Sequence, residues 1–229
     1  MMSDSIAGIR LGVAQAGLKV ADQDDVVVVE FSPGTRTAAL FTQNAFRAAP
    51  VVVAERHCSV NQGHAQLLLI NTGNANAGNG AMGITAAEKC CDALADMISV
   101  NRSDVLPFST GVIGEPLDAD RIAAALPSAI HDLGADNWQR AAAAILTTDT
   151  RPKLRTIEVD VDGKVCRITG MSKGAGMICP NLATMLAFIA TDAEIEQSSL
   201  DTLLRRANSV SFNRITVDGD TSTNDAVTL

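Results

Sequence analysis

The sequence predicts an α/β (α+β) fold, a layered sandwich of β-sheets flanked by helices, on three observations. Short apolar, often β-branched runs fill the first part of the chain, 26–31 (VVVVEF) being the clearest. These runs are continuous rather than alternating, so both faces of the sheet are expected to be covered. Helical patterns with start signals fall between later strand-like runs, which places helices outside the sheets.

The elements follow in order. Residues 26–31, 38–41, 51–54 and 67–70 read as strands, with Gly, Pro and Asn between them. Residues 71–80 (NTGNANAGNG) form a glycine and asparagine loop suited to turn and left-handed geometry. Thr85 and Glu88 make a capping-box pattern that opens a helix, with Cys90, Leu94, Met97 and Ile98 on its apolar face. Residues 104–108 form a strand that runs into Ser109-Thr110-Gly111-Val112-Ile113-Gly114. Asp118 or Asp120 starts a helix through Ile122 and Leu126, and an alanine-rich helix covers 137–146.

Residues 157–161 and 165–168 form a hairpin about Asp162-Gly163, the strongest short turn signal in the chain. Residues 184–189 read as a strand and 197–208 as a helix with Leu200, Leu203, Leu204 and Ala207 on one face. Residues 215–229 read as a strand and a polar loop, expected to leave an unpaired sheet edge. No internal repeat or disordered linker is found.

Composition narrows the function classes. With 229 residues and 47% hydrophobic content, the chain has ample material for a core. A formal net charge of −8 disfavours nucleic acid and anionic membrane as partners. No apolar run approaches a membrane span, and the N-terminus lacks an apolar signal core. A soluble cytoplasmic protein is expected. The five cysteines show no CxxC pair and no disulfide pattern, so neither a zinc site nor a disulfide framework is expected.

Several motifs fail on inspection. Gly174-Ala175-Gly176 half-matches a dinucleotide loop but lacks the third glycine and the strand–loop–helix frame. Asp218-Gly219-Asp220 opens like a calcium loop, yet Thr223 stands where glycine is needed and Leu229 where glutamate is needed. His57, His64 and His131 sit in separate segments with no nucleophile elbow nearby.

The richest stretch is 172–186, SKGAGMICPNLATML. A threonine at the start of an apolar strand is ordinarily a strand residue. An N-terminal threonine is different, because its own α-amine can serve as base for its hydroxyl. That amine has an unperturbed pKa of about 7.7–8.0, near cellular pH. Thr184 therefore becomes a candidate nucleophile if the Ala183–Thr184 bond first breaks. Small Ala183 and the glycines upstream would let the hydroxyl reach the preceding carbonyl. Thr110 and Gly111 offer a hydroxyl and an unhindered N–H for an oxyanion, although in sequence they also read as an ordinary turn. Lys173 offers a cation for a carboxylate or the oxyanion.

Taken together, INTGNANAG, STGVIG, TTDT, KGAGMICPNLATML and FNRITVDGDTSTND occur in an order that resembles the ornithine acetyltransferase family, also called glutamate N-acetyltransferases. The resemblance spans nearly the whole chain. It implies a precursor that cleaves itself between Ala183 and Thr184 into an α chain, 1–183, and a β chain whose N-terminal part is 184–229. Thr184 would then carry acetyl from N-acetyl-ornithine to glutamate in arginine biosynthesis, by a ping-pong acyl-enzyme route. Some members also accept acetyl-coenzyme A as donor.

By the same resemblance Thr184 is the nucleophile, Thr110 and Gly111 form the oxyanion hole, and Thr147, Lys173 and Thr184 bind substrate. Interwoven α and β chains paired as an α2β2 heterotetramer are implied, with no metal or organic cofactor. Gly78 stands where the family loop often has cysteine. Family precursors are longer, and their later substrate-site residues have no counterpart in this sequence. The chain is thus expected to be the N-terminal portion of such an enzyme. A non-catalytic fragment or assembly partner, and a relative acting on another acetylated amino acid, are the alternatives.

Overall fold

The computed structural model describes residues 3–179 and 185–229. Two sheets stack face to face, with helices on both outer surfaces. The first sheet contains β1 (Ile9–Ala14), β2 (Val26–Phe31), β4 (Leu67–Asn71) and β5 (Val105–Ser109), in the order β1-β2-β4-β5. Its last pair, β4 and β5, is parallel. The second contains β3 (Ala39–Phe41), β6 (Lys153–Val161), β7 (Lys164–Lys173), β8 (Leu186–Thr191) and β9 (Ala226–Thr228), in the order β3-β9-β8-β7-β6.

The continuous apolar runs have the cause expected of them. In β2, Val27 and Val29 face the second sheet, while Val26 and Val28 face helices α2 (Gly80–Ile98) and α3 (Ala119–His131). The two sheets meet through Leu68, Ile70, Leu106 and Phe108 on one side and Met171, Leu186 and Phe188 on the other. Phe108 and Phe188 form an edge-to-face pair across the join, with ring centroids 5.1 Å apart. Beyond the second sheet, Ala187 and Val227 pack on Leu200 and Leu204 of α5 (Gln197–Val210). The result is an α-β-β-α stack, the layered sandwich that the sequence predicts.

Some boundaries move. Residues 51–54 are not a strand but the first turns of α1 (Ala49–Asn61). Pro50 pre-sets that helix start, and Val51, Ala54 and His57 share a buried face at helical spacing. The β-branched run reflected burial, which overrides strand propensity. Helix α2 opens at Gly80, not at Thr85, whose hydroxyl donates to the Ala81 carbonyl one turn back. Glu88 pairs with Arg56 of α1 rather than capping anything. Met97, expected on the buried face of α2, is 46% exposed.

Strand β1 gave no clear sequence signal because Gly12 interrupts it. A Cβ there would lie 1.9 Å from the Ala129 carbonyl oxygen, so α3 requires glycine at this contact. The Asp162-Gly163 hairpin is longer than expected, both turn residues at positive φ, and carries β7 out to Lys173. Helix α4 (Trp138–Ala144) sits within the predicted alanine-rich segment.

The expected free edge at 215–229 is not found. The segment follows a 3-10 turn at Phe212–Arg214 and begins not with a strand but with the polar loop; its strand is β9 at the end, which pairs with β3 on one side and β8 on the other. Strands from before and after position 184 therefore interleave in one sheet. Among the described residues no helix is long and apolar enough to cross a membrane.

Candidate active site

Parallel neighbours β4 and β5 end level, with Asn71 opposite Ser109. The crevice beyond the carboxyl ends of such strands is a recurrent ligand site. Here the loops leaving those ends pair with each other, Asn74 bridging both Thr110 and Val112. Gly111 has φ +135°, and a Cβ on it would meet the Gly73 carbonyl carbon at 2.3 Å. Glycine at 111 is thus required by backbone contact, not only by turn geometry.

The asparagine-rich loop supplies a scaffold of satisfied, buried amides. Asn71 donates to the Asn74 carbonyl at 2.9 Å and accepts from the Ser109 hydroxyl at 2.6 Å. Asn74 donates to the carbonyls of Glu115 and Pro116, and its oxygen accepts the Asn76 N–H at 2.7 Å. From the far end of the chain, Asn224 donates to the carbonyls of Ala75 and Ser109 at 2.7 and 2.9 Å. Such fully paired polar groups fix the position of the Thr110–Gly111 turn.

A cavity of about 580 Å³ opens beside this turn. Thr110, Gly111, Thr147 and Lys173 all line it. The structure thus brings together the four described residues singled out from sequence, from β5, α4 and β7 and the loops that follow them. Ala183 and Thr184 lie outside the described residues. On the near side of that stretch Leu186, two positions after Thr184, pairs with Lys173 in the sheet.

Lys173 is only 6% exposed, and its ammonium donates to the Thr110 hydroxyl oxygen at 2.8 Å. Burial holds its pKa below the usual lysine range, although Asp149 and Asp225 act on it through space in the opposite sense. An ammonium with one neutral partner in a cavity is suited to an incoming carboxylate. Because the Thr110 oxygen accepts from Lys173, the Thr110 hydroxyl proton remains to donate elsewhere. Cation, hydroxyl and glycine backbone form a wall suited to developing negative charge.

Two buried carboxyls accompany this wall, and sequence reasoning passed over both. Asp149, inside TTDT, accepts the Gly174 N–H at 2.9 Å and pairs with Lys153. Burial would raise its pKa, but the Lys153 and Gly174 hydrogen bonds outweigh this and leave it below the ordinary range. Asp225 is 1% exposed, and burial pushes its carboxyl up to about 8 against hydrogen bonds from Ser222 and the Met185 N–H. Both lie within polar stretches that read as turns, and nothing in local sequence marks a turn aspartate as buried. The five cysteines remain free thiols, and burial raises Cys58, Cys90 and Cys91. Among the described residues no group of acidic, His and Cys side chains is placed to hold a metal.

Comparison with known proteins agrees with this architecture. The chain is 51% identical over 224 residues to the arginine biosynthesis bifunctional protein ArgJ of Pseudomonas syringae pv. tomato, covering 98% of this chain and 55% of that protein. It is 53% identical to the protein of that name from Methylococcus capsulatus, covering 98% and 54%. The chain therefore spans about half the length of these curated relatives. Among solved structures, the Bacillus halodurans bifunctional protein argJ aligns with TM-score 0.68 and 30% identity, covering 79% of this chain and 94% of that one. The ornithine acetyltransferase of Mycobacterium tuberculosis, solved with ornithine, aligns with TM-score 0.68 and 28% identity, covering 80% and 95%. An aminopeptidase of Ochrobactrum anthropi, described as a variant of the Ntn-hydrolase fold, shares the fold at TM-score 0.60 and 12% identity, covering 97% and 71%. Residues 10–229 match the ArgJ family throughout, and with half the residues shared with its curated members the chain belongs to that family.

Proposed function

We infer that this chain is part of an autoprocessing N-acetyltransferase of arginine biosynthesis, with Thr184 as nucleophile. The observation that carries the reading is the Lys173–Thr110 contact at 2.8 Å beside Gly111, in a cavity that Thr147 also lines. In the first reaction the Thr184 hydroxyl attacks the Ala183 carbonyl carbon and the acyl group shifts from nitrogen to oxygen. Water then hydrolyses the ester, leaving a carboxylate on Ala183 and a free amine on Thr184. The pieces 1–183 and 184 onward stay together, because their strands interleave in one sheet.

In the second reaction the Thr184 hydroxyl attacks the acetyl carbonyl of N-acetyl-ornithine while the α-amine takes its proton. The amine returns that proton to the departing ornithine nitrogen, leaving an acetyl ester. Glutamate attacks the ester through its amine and leaves as N-acetylglutamate. Thr110 and Gly111 stabilise the tetrahedral oxyanion in each step. Lys173 and Thr147 hold the substrate, Lys173 by pairing with its carboxylate. Acetyl-coenzyme A is a second donor in this reading. The assembly is an α2β2 heterotetramer in the cytoplasm, working without a resident cofactor since the chain supplies the nucleophile itself.

Intact-mass spectrometry of the full-length precursor tests the reading. The wild type should split after Ala183, and Thr184→Ala should stay whole and transfer no acetyl. Wild-type protein that transfers acetyl while intact would refute it.

A further inference from the structure

The sites on either side of the proposed cleavage point are held by one short segment, residues 218–225. Upstream, the Asp218 carboxylate accepts two consecutive backbone N–H groups, Met177 at 2.5 Å and Ile178 at 2.9 Å. Met177 adopts φ +58°, an uncommon conformation for a side-chain-bearing residue, and this places both N–H groups toward one acceptor. The Ile178 carbonyl in turn accepts from the Val217 N–H at 2.9 Å and the Thr216 hydroxyl at 3.2 Å.

Downstream, the Asp225 carboxyl accepts the Met185 N–H, and the Met185 carbonyl accepts the Ala226 N–H at 3.1 Å. Asp225 Oδ2 is buried without a partner among the described residues. Between these two grips the segment is tied to the oxyanion turn, since Asn224 donates to the Ser109 carbonyl. It is also tied to the end of β3, through Thr42 donating to the carbonyls of Ser222 and Asp225, and to the start of α1, where the Ala48 N–H donates to the Thr223 carbonyl at 2.8 Å.

We propose that Asp218 and Asp225 are positioning residues for self-processing, fixing the backbone at Met177–Ile178 and at Met185, the described residues on either side of the proposed cleavage point. The inference rests on the reading of Ala183–Thr184 as the cleaved bond. Attack across that bond requires reacting atoms at about 3 Å, and a misplacement of about 1 Å costs on the order of 100-fold in rate. Asp218 fixes two backbone N–H groups on one side and Asp225 one on the other, so loss of either grip frees the backbone that leads toward the proposed cleavage point. Neither touches the reacting atoms in this role.

The test measures the processing half-time of the full-length precursor by intact mass. Asp218→Ala and Asp225→Ala should each lengthen it by about tenfold or more. Asp225→Asn keeps an oxygen to accept the Met185 N–H and should remain within about threefold of wild type. Each Asp218 or Asp225 change is also introduced into the non-cleaving Thr184→Ala precursor, where the Asp218 change should leave the melting temperature within about 2 °C because that side chain sits at the surface. Processing at the wild-type rate in both alanine variants would overturn the clamp alone. Asp225→Asn as slow as Asp225→Ala would overturn the role assigned to its hydrogen bond. A wild-type precursor that never splits would overturn the clamp together with the reading of Thr184.

Discussion

Replacing Gly111 by alanine probes the oxyanion turn most directly. The new Cβ would fall 2.3 Å from the Gly73 carbonyl carbon, 2.5 Å from the Asn74 nitrogen and 2.6 Å from the Gly73 oxygen. All three are backbone atoms, so no side chain can rotate away. Relieving them requires the two loops to part by about 1 Å, against the Val112-to-Gly73 and Thr110-to-Asn71 hydrogen bonds. Overpacking of this kind costs about 1–3 kcal/mol, and a side chain at φ +135° adds about 1–3 kcal/mol. The expected loss of stability is therefore about 2–6 kcal/mol, measured by urea unfolding.

In acetyl transfer the displaced N–H should lower kcat by about 100- to 1,000-fold. Gly114→Ala in the same loop is the control, since φ is +85° but nothing lies within 4 Å of its Cβ. It should cost only about 1 kcal/mol. A Gly111→Ala protein within about 0.5 kcal/mol of wild type and with unchanged kcat would refute the close-approach argument.

Two further outcomes follow from the packing and the buried charge. Phe188→Ala removes one ring of the pair joining the sheets and should destabilise the fold by about 3–5 kcal/mol in the same unfolding assay, and a loss below about 1 kcal/mol would contradict its place in the core. Asp225 titrates near 8 when folded, above its unfolded value near 4, so the folded chain binds the extra proton between them. Its contribution is present below about pH 4 and is lost as pH rises toward 8. Wild type should therefore lose stability relative to Asp225→Asn across that window, by at most about 1.4 kcal/mol per pH unit, and parallel curves would refute the burial argument.

Much of this was legible before any fold was known. The valine run at 26–31 announced a strand covered on both faces, and the structure covers one face with β8 and the other with α2 and α3. Asp162-Gly163 fixed a hairpin because two positive-φ positions in sequence specify the turn locally. Thr110, Gly111, Thr147 and Lys173 were named from motifs, and they line one cavity.

Tertiary structure decided the rest wherever the cause lay far along the chain. Residues 51–54 are helical because Val51 and Ala54 continue at helical spacing into buried His57, a fact that strand propensity cannot register. The need for glycine at 12 comes from Ala129, and at 111 from Gly73, contacts invisible to neighbours in sequence. Asp149 and Asp225 resemble the solvated aspartates of any polar loop until the fold closes over them. Motif chemistry and local turns are short-range properties, so the sequence alone determined them. Burial, register between sheets and the electrostatics of Lys173 depend on distant segments meeting, and only the folded chain sets them.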